Sequence, residues 1–563
     1  MISPGIDEQD YETDYPNYLR GFLSLLIQGF LILFVYVLAP LSAEAQYTGA
    51  GLAYPTGIEP GNPSDCENPG HCWYVDCDAV SDGVGTYASP FWGFETLFGY
   101  YSAGSFITGS IAAGDYVYVK GTCNITKSAN NDTATGPYQM IRSARQGQLG
   151  TLANPTVIKS YLGTAQAVFD GEFATALTGV HDASNDVSGG MIKIAPTIAG
   201  SALGIKIQNI KVTQSRYIGI NCGYGAATVA YCDINSVWFE DNDIDSTGTT
   251  GPLFIDCSAT DFAQAHTVRN CKFTNNYRNC AAKGGNMTGD TSCARGDPSG
   301  TTNDGALGIY SANGATPIGT VTIQDSYFDN NFKHIKTKHN GSASTTVKRN
   351  YFGSAPEELI YIRQTTWSVF DNIFDGGDNV FVVTTEAPPG GKTRSLDFHG
   401  NTVYKGTRLI ALEDSGTYAD YLTWNVYNNA IDSQVTTSPI IAISTSGTVS
   451  TFTPAKWTSH HNYFYVNASA QTTFSSLMPA VSGSAATVRS FANTMTYLSD
   501  ASSSVSDPKF TNPASDNFCL QAGSARTASN TGSYIGALDP AGAICTATSS
   551  AAPQCLMLLR VGK

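Results

Sequence analysis

Short alternations of apolar and polar residues, broken at regular intervals by the same corner, fill the chain from residue 150 to about 500. The phrases IQDSYFD (323–329), VKRNYFG (347–353) and VFDNIFD (369–375) run apolar, polar, polar, polar, any, aromatic. The pattern extends to IQNIKVT (207–213), INSVWFE (234–240), VRNCKFT (268–274), FHGNTVY (398–404), VYNNAID (426–432) and HHNYFY (460–465). Their aligned apolar residues are Val212, Phe239, Phe273, Phe328, Phe352, Phe374, Val403, Ile431 and Phe464. Most steps are 22–34 residues; the step of 55 from Phe273 to Phe328 is read as two coils. A period in the twenties with strand-type alternation predicts a solenoid, because one coil cannot bury its own inner face and a stack can. The alternative, a β-sandwich of hairpins, would want two-residue turns rather than a constant coil length. The fold expected is all-β, a single-stranded right-handed parallel β-helix. Asn350, Asn372, Asn401, Asn429 and Asn462 each precede the aligned apolar residue by two. Amides repeated at one corner predict a ladder of side-chain hydrogen bonds along the stack.

Between the corners lie further alternating strands. Aligning them puts Ile220, Ile255, Ile309, Ile335, Ile360, Phe381, Ile410 and Ile441 in one inward column. Cys222 and Cys257 stack in the next as buried thiols. The outward column then reads Asn221, Asp256, Tyr310, Lys336, Tyr361. Neighbouring coils lie about 4.8 Å apart. Lys336 is therefore expected beside Tyr361, with Tyr310 on its other side and Asp256 beyond, and Lys338 beside Arg363. His334 and Lys333 precede this strand and His339 follows it. Like charges stacked in register cost energy, which a bound polyanion or the nearby Glu357, Glu358, Asp371 and Glu413 would offset.

Composition narrows the class. Charged residues are only 14%, with 56 Gly, 30 Tyr and 26 Phe, which suits a turn-rich β protein. The formal charge of −15 argues against a general nucleic-acid partner. Residues 22–39 are apolar, and Ala43-Glu44-Ala45 fits a cleavage site. The expectation is a signal peptide over 1–45, with a membrane anchor as its alternative. Cleavage removes six acids and one base and leaves −10. The mature chain is expected to be secreted, monomeric and free of the membrane. Residues 46–73 read as a linker, 74–540 as the β-helix with an N-terminal cap over 74–121, and 541–563 as a tail. Thirteen cysteines fit disulfides in an exported protein.

The opening, WYVDCDAVSDGVGTYASPFWGFETL (73–97) followed by AAGDYVYVKG (112–121), resembles that of right-handed parallel β-helix proteins of the pectate-lyase type, where a short helix covers the first coil. Residues 505–540, with Asp507-Pro508-Lys509-Phe510 and Ile535-Gly536-Ala537, resemble tails that close the last coil of such proteins. The outward cluster suits β-elimination of a uronate, which needs a cation on the carboxylate, a base for the C5 proton and an acid for the leaving oxygen. HIKTKHN and LIYIRQT resemble the strand ends of the alginate lyase and chondroitinase B group of polysaccharide lyases. That resemblance implies Lys338 as base and Arg363 as carboxylate or acid partner; Tyr361, a tyrosine in the same cluster, is the expected proton donor because a phenol can supply one. Lys336, Tyr310, His334, His339 and Asp256 would bind an acidic polysaccharide. The group's Ca²⁺-binding Glu pair is absent; Lys333, His334 and Lys336 stand there, so no cofactor is expected, Lys336 could replace the metal's charge, and Ca²⁺ without the usual carboxylate ligands is the alternative. A carbohydrate-binding adhesin and a glycoside hydrolase are the alternatives. DGGDN (375–379) could supply paired carboxylates to a hydrolase. EDNDIDS (240–246) could hold Ca²⁺, and His460-His461 could hold a metal; for both, a plain turn is the simpler reading.

Overall fold

The computed structural model describes the strands and corners between residues 58 and 537, without 125–139, 172–190, 195–202, 277–304 and a number of shorter segments. The chain divides into Met1–Gln46 and Tyr47–Lys563. The first unit, with the expected signal segment, and the tail beyond 537 lie outside the described residues. Among the described residues no helix is long and apolar enough to cross a membrane.

The second unit is a right-handed parallel β-helix with three sheets. Among the described residues the first has twelve strands, from Cys72–Asp76 to Trp457–His460. The second has eleven, from Thr122–Asn124 to Tyr463–Val466. The third runs from Ile141–Ser143 to Ser475–Leu477, with an antiparallel twelfth strand, Thr487–Arg489, at its end. Each repeated phrase is a corner between the first two sheets. In IQDSYFD, strand Gly319–Gln324 ends, Asp325 turns, and Tyr327–Asp329 begins. The turning residue has positive φ at Asn209, Ser236, Asn270, Asp325, Arg349, Asp371, Gly400, Asn428 and His461. Glycine and short polar side chains tolerate that left-handed conformation best, which explains most of these choices.

The nine aligned apolar residues stand in one column, each the register partner of the next. Five consecutive phenylalanines, Phe239, Phe273, Phe328, Phe352 and Phe374, stack with ring centres 4.5–5.0 Å apart. Stacked coils impose this spacing, and aromatic faces fill it. Phe273 pairs directly with Phe328, so the 55-residue step is one coil and not two. Leu307–Tyr310 is the third strand of that same coil.

The amide ladder forms as the repeat implies. Asn350, Asn372, Asn401 and Asn429 each direct Nδ2 and the backbone N–H to the Oδ1 of the next asparagine at 2.9–3.2 Å. Ser326 N–H enters it, and Asn462 ends it on Ser503 Oγ. A second ladder, unforeseen in the sequence, runs at the corner between the second and third sheets. Ser215 donates to Asn242, Asn242 to Asn276, and Asn276 to Asn331.

Both ends are covered. Phe94, Leu97 and Phe98 of the short helix Glu95–Phe98 and its approach are buried, and Phe94 stacks on Phe169 of the first coils. The described part of the segment before Trp73 is tied down by Lys159, which bonds Glu59 and Glu67 at 2.6 and 2.9 Å. At the far end the helix Phe491–Leu498 buries Met495 and Leu498 and packs Phe491 on Phe464 and Phe474. Ile535-Gly536-Ala537 does not close the last coil. It returns along the second sheet, where Gly536 N–H meets Asn428 O and Ala537 N–H meets Thr402 Oγ1. Gly536 has φ +94, and a Cβ there would lie 2.9 Å from Thr402 Oγ1.

Disulfides join Cys66–Cys72, Cys77–Cys123 and Cys222–Cys232, and Cys519 is also oxidised. Cys222 is thus not a stacked thiol; Cys257 and Cys271 are the free, buried cysteines among the described residues.

Candidate functional site

The candidate site lies on the outer face of the third sheet. Ile335–Lys338 pairs with Glu358–Ile362, and Lys336 is opposite Tyr361. On its other side Lys336 faces Gly308, not Tyr310. Tyr310 is opposite Lys338, and Asp256 is opposite Tyr310. The expected column is therefore out of register by two residues at this step. It is out by two again at Ile220, which pairs with Leu253 and not Ile255, leaving Cys222 opposite Ile255. The reason is plain in the burial. Leu253 and Ile255 both point inward, as do Leu307 and Ile309. A two-residue slip keeps every side chain on its own face, so alternation alone cannot distinguish the two registers. The corrected row on one line of the sheet is Asp256, Tyr310, Lys338.

The neighbouring line, Phe254, Gly308, Lys336, Tyr361, is covered and not an open groove. Lys336 is 3% exposed and Tyr361 6%. Lys336 Nζ lies 4.7 Å from the centre of the Tyr361 ring, and Lys333 Nζ lies 5.1 Å from it. Lys333 also forms an ion pair with Glu358 at 2.7 Å, with both side chains buried. Stacked positive charge is thus offset inside the fold, by the negative ring face and by one carboxylate. This placement does not suit Tyr361 to proton transfer with a substrate, nor Lys336 to direct contact with one.

His334 is fully buried between Phe328 and Phe352. Its Nε2 donates to Gly353 O at 3.0 Å, and its Nδ1 accepts from Asn331 Nδ2 at 3.1 Å. Both nitrogens are used, and burial pushes its pKa down to about 4. It terminates the second ladder and is not a substrate ligand. The corner it fixes opens directly into the strand carrying Lys336 and Lys338. Asp256 is 1% exposed, and its carbonyl accepts from Gln264 Nε2 at 2.8 Å. Tyr310 is half-buried and packs against Phe254 and Ile218. Arg363, His339 and the side chain of Lys338, and with them the expected Lys338–Arg363 neighbours, lie outside the described residues.

The other candidate motifs are corners. Glu240 of EDNDIDS bonds Lys211 and Lys272, and Asn242 belongs to the second ladder. Asp375 of DGGDN accepts from Tyr351 OH at 2.9 Å, and Gly376 and Gly377 turn with positive φ. Among the described residues no three His, Cys, Asp or Glu side chains are grouped to hold a metal ion.

No family model and no curated protein matches the chain. Solved structures similar to it include a pectate lyase, Pel9A, at 12% identity and TM-score 0.38, covering 74% of this chain and 91% of that one. A rhamnogalacturonan lyase has 10% identity and TM-score 0.31, covering 64% and 87%. A mannuronic acid specific polysaccharide family 6 lyase from human gut microbiota has 14% identity and TM-score 0.31, covering 63% and 76%.

Proposed function

We propose that the chain is an exported polysaccharide lyase that binds an acidic, uronate-containing chain across the third sheet and cleaves it by β-elimination. The observation that supports this most directly is the row Asp256, Tyr310, Lys338, opposed rung by rung. Backbone positions about 4.8 Å apart would allow a lysine and a tyrosine to act on one sugar residue. Lys338 would take the C5 proton. The C5–H electron pair becomes the C4=C5 double bond, the C4–O bond breaks, and Tyr310 returns a proton to the leaving oxygen. Arg363 would bind the carboxylate, where a fixed, bidentate cation acidifies that proton. Lys336, held over the Tyr361 ring, would add what positive charge that ring leaves beneath the site, in place of a bound cation. Disulfides in the coil fit an exported protein.

The burial of Lys336 and Tyr361 favours a second reading, in which the rigid coil binds such a polymer without cutting it. Incubation with alginate, pectate, chondroitin sulfate and ulvan, followed by ultraviolet absorbance of the unsaturated product, separates the two. Product from one polymer supports the lyase. Retention on the polymer with no product from any of the four supports binding alone, and new reducing ends without unsaturation would show a hydrolase.

A further inference from the structure

The first corner of the last coil carries two adjacent histidines. Strand Trp457–His460 ends there, and His461 turns with φ 56. His460 is the last member of a half-buried column on the first sheet, Phe370, His399, Tyr427, His460, with ring centres 4.7–5.0 Å apart. Tyr427 therefore holds one face of the His460 ring. The His461 ring stands almost perpendicular to it, at 84°. Their Nδ1 atoms lie 3.2 Å apart, in hydrogen-bond contact. The backbone beyond is fixed, since Asn462 is bound to Val426 O and Ser503 Oγ. Asp500 acts electrostatically on His460, and its carboxylate is held by Ser459 Oγ, Ser502 N–H and Ser503 N–H.

A tetrahedral ion with metal–nitrogen bonds of about 2.05 Å separates two of its ligands by about 3.3 Å. We infer that His460 and His461 form a two-nitrogen chelate, through Nδ1 of each ring, for a borderline divalent transition metal such as Zn²⁺ or Cu²⁺, with water in the remaining positions. Each ring can be neutral with one N–H. Without metal, one Nδ1–H donates to the other Nδ1. Binding moves that proton to Nε2 of the same ring, so the metal enters with no net proton release. Imidazole is the side chain these metals prefer among nitrogen ligands, and Asp500 adds a negative field. Other corners provide the same backbone without the pair: Tyr427 precedes Asn428, and His399 precedes Gly400.

Those corners also supply the controls. His460→Phe keeps the ring column, as Phe370 does, and His461→Asn keeps the left-handed turn, as Asn428 does. Calorimetric titration of the full chain with ZnCl₂ and CuCl₂ is compared across wild type and both variants, after chelator treatment. Thermal unfolding in chelator verifies that all three fold alike. The expected result is one equivalent bound by wild type and lost from each variant, with Cu²⁺ showing a two-nitrogen spectrum by electron paramagnetic resonance. Equal stoichiometry and affinity in wild type and the two variants would overturn the site, as would a wild type that binds neither metal.

Discussion

Replacing Asn401 by Ala removes one link from the middle of the first ladder. Asn401 is fully buried. Its Nδ2 serves Val369 O, His399 O and Asn429 Oδ1, and its Oδ1 accepts the backbone N–H and Nδ2 of Asn372 at 3.0 Å each. Alanine leaves Val369 O and Asn429 Oδ1 short of a donor and the Asn372 N–H without its acceptor. A hydrogen bond contributes about 1 kcal/mol net, and each buried group left unpaired costs about 1–3 kcal/mol. The loss should be about 4 kcal/mol, far above the about 0.5 kcal/mol typical of a surface change. Asn401→Asp keeps the shape and the acceptor but removes both donors and adds a buried charge, so it should be at least as destabilising. Urea unfolding measures this by circular dichroism and by tryptophan fluorescence, for which the buried Trp367, Trp424 and Trp457 flank the affected coils. If Asn401→Ala shifts the midpoint no more than Asn425→Ala, on the outer face, the amide ladder contributes nothing beyond filling space and the reasoning fails.

If the proposed chemistry holds, Lys338→Ala and Arg363→Ala should each lower formation of unsaturated product by at least about a hundredfold while leaving the unfolding midpoint unchanged; full activity in either would reject that residue's role. His266 and His334 are both buried, and burial pushes each down from 6.5 to about 4. The unfolded chain takes up protons below pH 6.5 and the folded one does not until about pH 4, so stability is complete above 6.5 and falls as pH drops through that window. The loss is roughly 3 kcal/mol for each histidine, and the slope of unfolding free energy against pH should flatten in His266→Gln. Opening Cys77–Cys123, which spans 46 residues, should cost about 4 kcal/mol, and opening Cys66–Cys72, which spans 6, about 2 kcal/mol; paired serine variants in the same urea assay rank the two.

The repeat was legible because every coil states it again. The phenylalanine column and the asparagines two residues before it give the coil, the corner and the ladder together. The second ladder carried a signal that reading only the residues before the aligned column passed over: Asn242, Asn276 and Asn331 each follow a three-residue strand and stand three residues after Phe239, Phe273 and Phe328. A polar residue in left-handed conformation stands just before each, at Asp241, Asn275 and Asn330. The two-residue slip at Tyr310 could not have been read, since Leu307 and Ile309 are both inward and either could pair with Ile335. Burial of the lysines was equally invisible. Alternation gives the face of a strand, but not what is folded over that face. Glu358 was a visible partner for Lys333, while the role of the Tyr361 ring as counterpart to both lysines depends on rotamers that sequence does not encode.

The two ladders overlap. One ends at Asn331 and His334, and the other takes up its chain of amides from Ser326 and Asn350. Every described coil from Ser215 to Asn462 is therefore tied at one corner or the other, and the coil holding both ends works as a lap splice between two cords. Pulled along the stacking axis, the coils should part last at this splice, where side-chain bonds cross to the neighbouring coils at both corners. That coil also carries Lys336 and Lys338, so the proposed site sits on the doubly tied piece of chain.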